Sequence, residues 1–171
     1  PAFFRLALTL GFDYVEVSDG TINLPRDRRD ELIRSAKGLG LRVVTEYGKK
    51  TAGSRIDALQ FAETAKRDWE LGAELVTVEA RESGIGVGLF DERGQCRSDD
   101  LRSMLRLIPD ERRVLWEAPQ KEQQVELIRA LGPEVNLGNV PVHDVIALET
   151  MRRGLRSDTF ELQRLYSDYV I

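Results

Sequence analysis

The stretch Glu74-Leu75-Val76-Thr77-Val78-Glu79-Ala80 decides the fold. It is short and rich in β-branched residues, and it follows Gly72, which ends a longer segment with helical apolar spacing. Such a run, entered from a helix, reads as a buried parallel strand. The same unit recurs along the chain, with strands expected at 13–18, 41–47, 74–80, 113–118 and 135–137. Helical spacing predicts helices near 25–39, 56–71, 99–108, 120–131 and 143–154, and one more near 3–10 before the first strand. Gly11, Gly40, Gly72 and Gly132 each stand just before a strand, where a left-handed residue closes a helix. Pro25 falls where a first helical turn tolerates it.

Strands alternating with crossover helices define an α/β fold with a parallel sheet. We read the chain as a (β/α)8 barrel of the TIM type with only about five βα units present; a complete barrel has eight strands and typically about 250 residues. Residues 1–171 form one partial barrel domain on this reading, with the N-terminal strands missing. An open edge exposes unpaired backbone groups. Closure by an absent N-terminal portion is the favoured expectation, and a homo-oligomer is the other.

The composition narrows the function. The chain has 42% hydrophobic residues, enough for one sizeable core, and a net charge of −4 with both signs interleaved. Without a basic stripe, nucleic acid is not an expected partner. Apolar runs are far below the roughly 20 residues that span a bilayer, so neither membrane insertion nor a leader is expected, and the reading is a cytoplasmic protein. A lone cysteine, Cys96, can form no intramolecular disulfide; in its polar loop it is expected to be an inert, exposed thiol.

Four of the five strands carry a glutamate at or near the carboxyl end: Glu16, Glu46, Glu79 and Glu117. Side chains alternate along a strand, so Val44 with Glu46, Thr77 with Glu79, and Leu115 with Glu117 share one face. Val43, Thr45, Val76, Val78, Val114 and Trp116 form the opposite, mostly apolar face and should pack on the helices. The glutamates then point to the end of the barrel where active sites of this fold sit. Converging carboxylates repel one another and call for a cation. Mg²⁺, which takes oxygen ligands, is the natural choice. Lys50, four residues after Glu46, and Arg81, two after Glu79, bring fixed positive charge. Glutamates can also merely cap helices or pair on a rim, but four in one structural place would bury unpaired charge at a cost of several kcal/mol without a purpose.

Weaker signals surround this one. Asn136-Leu137-Gly138-Asn139 precedes a helix and suits either a tight turn or a phosphate held by free backbone N–H groups. His143 is expected at the surface. Arg152, Arg153 and Arg156 are expected to satisfy the end of their helix. Residues 81–98, with Gly84, Gly86, Gly88 and Gly94, lack the context of a dinucleotide fingerprint and read as a mobile lid. Trp69 and Trp116 read as core, and Arg26-Asp27-Arg28-Arg29 as a solvated helix start.

The motifs Phe12-Asp13-Tyr14-Val15-Glu16-Val17-Ser18-Asp19-Gly20-Thr21, Thr45-Glu46-Tyr47-Gly48-Lys49-Lys50, Glu79-Ala80-Arg81-Glu82-Ser83-Gly84, Trp116-Glu117-Ala118-Pro119-Gln120-Lys121 and Asn136-Leu137-Gly138-Asn139 resemble the phosphosulfolactate synthase family. So do Arg153-Gly154-Leu155-Arg156 and Asp158-Thr159-Phe160. Tyr47 departs from the family pattern at an outward-facing position. The resemblance implies a barrel enzyme, a carbon–sulfur lyase, that adds sulfite to phosphoenolpyruvate to give (2R)-phospho-3-sulfolactate through an enolate-like intermediate, a step toward coenzyme M or sulfolactate. It implies Mg²⁺ among Glu46, Glu79, Glu117 and Glu16. Lys50 is then the proton donor, with Lys49 second, its pKa lowered by neighbouring cations. Arg81 is assigned to sulfite or the substrate carboxylate, and Asn136, Gly138, Asn139 and Ser18 to substrate binding. Two alternatives stay open: a non-catalytic relative of the heat-stress-associated kind, and another Mg²⁺-dependent enolate-forming barrel.

Overall fold

A computed structural model describes residues 2–162. It is a five-stranded parallel sheet in the order β1-β2-β3-β4-β5, each strand beside its predecessor. The strands are β1 (Tyr14–Val17), β2 (Arg42–Tyr47), β3 (Leu75–Val78), β4 (Val114–Glu117) and β5 (Leu137–Gly138). Helix α1 (Ala2–Thr9) precedes β1, α2 (Arg26–Gly38), α3 (Ala58–Glu70), α4 (Ser98–Leu107) and α5 (Lys121–Leu131) connect successive strands, and α6 (Val145–Arg152) follows β5. This run of adjacent βα units is an arc of the expected barrel. The glycines named from sequence all take positive φ: 84° at Gly11, 91° at Gly40, 102° at Gly72 and 92° at Gly132. Helix α3 starts at Asp57, whose carboxylate accepts from the Gln60 N–H at 3.0 Å. Helix α5 starts with a reciprocal Gln120–Gln123 capping box.

The strand alternation holds. Val15, Val17, Val43, Val76, Val78, Val114 and Trp116 are buried against the helices with Ile33, Phe61, Met104, Leu127 and Ile128. Trp69 belongs to the same core. Tyr47 also faces the helices, edge-on to Phe61 with ring centroids 5.3 Å apart, which accommodates its departure from the family pattern. Opposite, on the concave face, Val44, Leu75 and Leu115 are half-buried.

Five expectations need correction. Arg29 is only 4% exposed and forms a buried ion pair with Asp68, so the basic helix start is solvated at Arg28 but not here. Cys96 is buried, and burial pushes its thiol up to about 12. The segment read as a lid is packed instead: Val87, Leu89 and Phe90 are buried, Gln123 donates to the Gly84 and Gly94 carbonyls, and Arg97 donates to Gly88. Arg152 serves the Pro133 and Val135 carbonyls ahead of β5 rather than the end of its own helix. The last strand also falls later than expected and keeps only Leu137 and Gly138, followed by a single 3-10 turn at Val142–Asp144 that carries the exposed His143.

Candidate active site

Parallel register carries three glutamates to the same end of the sheet. Glu46 lies opposite Thr77, and Thr77 opposite Leu115, so Glu79 and Glu117 each continue one inward step beyond that row. One oxygen from each of Glu46, Glu79 and Glu117 lies within 4.8 Å of the others. Glu46 and Glu79 are 3% and 1% exposed, and Glu117 is half-buried. Glu16 is not part of this group: β1 pairs so that Glu16 is level with Val44, one inward step short of Glu46, and it is exposed.

Fixed donors orient each carboxylate. Ser18 Oγ donates to Glu46 Oε1 at 2.6 Å, and the Gly20 N–H donates to Ser18 Oγ at 3.2 Å. The Arg81 N–H donates to Glu79 Oε1 at 2.6 Å, made possible by an Arg81 backbone at φ 62°. The Ala80 N–H donates to Glu117 Oε2 at 2.8 Å. The remaining oxygen of Glu79, Oε2, is sealed from solvent; among the described residues it has no aligned hydrogen bond, and its nearest cation is Lys50 Nζ at 3.2 Å. Lys50 Nζ is also 3.7 Å from Glu46 Oε2.

The electrostatics are unbalanced. Among the described residues, three carboxylates face one ammonium, which leaves two negative charges uncompensated if all ionise. Burial pushes the Glu46 carboxyl up to about 7, reinforced by Glu79 and Glu16 and opposed by the Ser18 hydrogen bond. Burial also raises Glu117, against the Ala80 N–H. Burial alone would lower Lys50, but Glu46 and Glu79 outweigh it and its pKa is raised. The expected lowering therefore fails, because Lys50 has carboxylates and not cations for neighbours. The donor set is all oxygen, and a buried carboxylate oxygen without a hydrogen bond faces the cluster, so the site fits a hard divalent cation.

Other expected site residues are placed as follows. Lys49 is spent on the loop after β1, donating to Asp19 Oδ2 and the Asp19 carbonyl at 2.7 Å and to Ile22 O at 3.1 Å. Asn136 donates to the carbonyls of Arg112 and Val114, at the opposite end of β4, so its amide is committed away from the glutamates. Gly138 pairs with Glu117, and Asn139 Nδ2 donates to the Arg81 carbonyl at 2.9 Å, so these two stand beside the cluster with Arg81. The Arg81 side chain is exposed.

Two glycines missed in the sequence matter here. A Cβ on Gly20 would lie 2.7 Å from Glu46 Oε1, and one on Gly48 would lie 2.8 Å from Glu79 Cβ. Both keep neighbouring backbone close to the carboxylates, and the Gly20-Thr21 and Gly48-Lys49 pairs after successive strands were the available signal.

A parallel β/α arc with carboxylates gathered at the carboxyl ends of its strands defines the (β/α)-barrel class. The X-ray structure of the YdjI aldolase from Escherichia coli K12 shares this fold, at a TM-score of 0.51 and 12% identity over 97% of this chain and 65% of that one. The profile of the (2R)-phospho-3-sulfolactate synthase (ComA) family matches residues 1–158, and the chain belongs to that family. It is 42% identical over 159 residues to the phosphosulfolactate synthase of Methanothermobacter thermautotrophicus, covering 92% of this chain and 61% of the relative. For the Methanocaldococcus jannaschii enzyme the identity is 43%, covering 88% and 61%. For the Bacillus subtilis enzyme it is 40%, covering 94% and 64%. The chain thus spans under two thirds of the length of these curated relatives.

Proposed function

We propose that this protein is a cytoplasmic phosphosulfolactate synthase that joins sulfite to phosphoenolpyruvate with Mg²⁺ held by Glu46, Glu79 and Glu117. One observation carries the reading: three carboxylates from successive strands bring one oxygen each within 4.8 Å of the others, Glu79 Oε2 is sealed from solvent, and among the described residues a single lysine stands beside them. Bound there, Mg²⁺ would supply positive charge to negative charge building on the substrate carboxylate. In the reaction the sulfur lone pair of sulfite forms a bond to C3, the C2–C3 π electrons move toward the carboxylate, and C2 takes up a proton. No group leaves, and the phosphate ester stays intact.

Lys50 is the proposed proton donor. It is protonated at neutral pH, as a donor must be, and its side chain is 41% exposed at the open end of the strands. It recovers its proton from water. Arg81, exposed beside Glu79, is assigned to the sulfite or the substrate carboxylate, and Gly138 and Asn139 to the phosphate. Ser18 acts through Glu46, which it orients. Three further strands closing the barrel would cover the half-buried Val44, Leu75 and Leu115, and Phe3, Leu6 and Leu10, which α1 and the turn after it leave exposed.

The test is product formation by the full-length protein from phosphoenolpyruvate and sulfite, with Mg²⁺ or with a chelator. Phosphosulfolactate should form only when all three are present. Turnover of phosphoenolpyruvate without sulfite would point to a different nucleophile and overturn the assignment.

A further inference from the structure

Behind the sheet, α2 and α3 carry a second cluster of buried charge. Asp68, fully buried, accepts from Arg29 Nε at 3.0 Å and Arg29 Nη2 at 2.7 Å through one oxygen, and from Arg26 Nη2 at 2.6 Å through the other. Arg26 and Arg67 also pair with Asp30. One donor leaves this network: Arg29 Nη2 donates to the main-chain carbonyl of Glu46 at 3.0 Å. Arg29 Nη1 lies 3.8 Å from Asp19, the carboxylate that holds Lys49 in the loop after β1. A single guanidinium therefore touches the end of β2, which supplies Glu46, and the loop following Ser18, which orients Glu46.

We propose that Arg29, charge-balanced by Asp68, is a positioning residue for the carboxylate cluster, anchoring the Glu46 main chain from the helix side of the sheet. This rests on the reading of the cluster as a divalent-cation site. A buried ion pair is weak grounds for stability in itself, since apolar replacement of both partners is often neutral or favourable. The pair gains a purpose from the donor it presents to Glu46. The planar fork of arginine can hold Asp68 with one edge and reach the carbonyl as well, while the compact ammonium of lysine cannot span both. Partners that orient metal ligands typically govern affinity by about 10–100-fold.

The test uses the full-length protein and Mn²⁺, with free Mn²⁺ followed by electron spin resonance, beside thermal unfolding without metal. Arg29→Met/Asp68→Leu removes both charges at similar volume, while Arg26 retains Asp30. This variant should unfold within a few degrees of wild type but bind Mn²⁺ about 10–100-fold more weakly. Arg29→Lys should be weakened in the same way, and it decides the matter if the double variant does not fold. Affinity within about twofold of wild type in the folded variants overturns the proposal. Glu79→Gln is the control. Loss of Mn²⁺ there, with the Arg29 variants unaffected, rejects the positioning role alone; absence of Mn²⁺ binding by wild type rejects the metal reading and the proposal with it.

Discussion

Asp68 and Glu79 are both sealed from solvent, one among the helices and one at the strand ends, at 0% and 1% exposure. Asp68 has donors on both oxygens, from Arg26 and Arg29. Glu79 has one backbone donor on Oε1 and only the partly exposed Lys50 near Oε2, in a cluster with more carboxylates than cations among the described residues. The difference separates two uses of buried charge. A charge-balanced network offsets its desolvation and holds elements together; a cluster with excess negative charge costs stability and persists where a ligand completes it.

Several substitutions would sharpen or break this contrast. Lys50→Ala should reduce product formation to background while the protein still unfolds cooperatively in urea, at lower metal-free stability because Glu46 and Glu79 lose their counter-ion. Unchanged turnover would remove it as proton donor. Asp68→Ala should act in the opposite way, destabilising the fold by about 3–5 kcal/mol by stranding Arg29 in the interior. A loss below about 1 kcal/mol would show that the helix-side network is not the structural half of the contrast. Glu79→Gln should lower kcat/KM by on the order of 100-fold, at least what outer-sphere partners of a metal cost, yet leave metal-free stability equal or higher because it relieves repulsion. Gly48→Ala should cost about 1–2 kcal/mol, because φ is 128° and the new Cβ would press on Glu79 Cβ.

The smallest effect is a pH slope. Glu46 ionises near 4.5 when unfolded and at about 7 when folded, so folding favours its protonated form. Its contribution is fully present below 4.5 and is lost as pH rises through about 7. Metal-free stability should therefore fall across that window, and Glu46→Gln should flatten the slope. Metal should oppose it, since the ligands bind deprotonated. An identical slope in wild type and Glu46→Gln would contradict the assignment.

Much of this was legible in the chain because it rests on local rules. Period-two alternation placed Glu46, Glu79 and Glu117 on the face opposite Val43, Val76 and Trp116, and glycines marked the helix ends. Exclusion of Glu16 was not legible, since it depends on β1 pairing Glu16 with Val44. The burial of Arg29 was hidden because its counter-ion lies 39 residues on, and Arg26-Asp27-Arg28-Arg29 has the local look of a solvated turn. The glycine-rich segment 81–98 read as a lid because its order comes from Gln123 and Arg97, whose partners are backbone carbonyls distant or irregular in sequence. Lys50 was placed correctly near Glu46, but the sign of its shift required knowing that Glu79 stands on its other side.

The cluster's proposed role is that Glu46, Glu79 and Glu117 together hold a divalent ion. The direct measurement is an anomalous-difference map from crystals of the full-length protein soaked in Mn²⁺. A single strong peak should stand between these three carboxylates, at about 2.1 Å from an oxygen of each. A map with no peak there, or with the ion bound elsewhere and Glu79 still facing only Lys50, would contradict it.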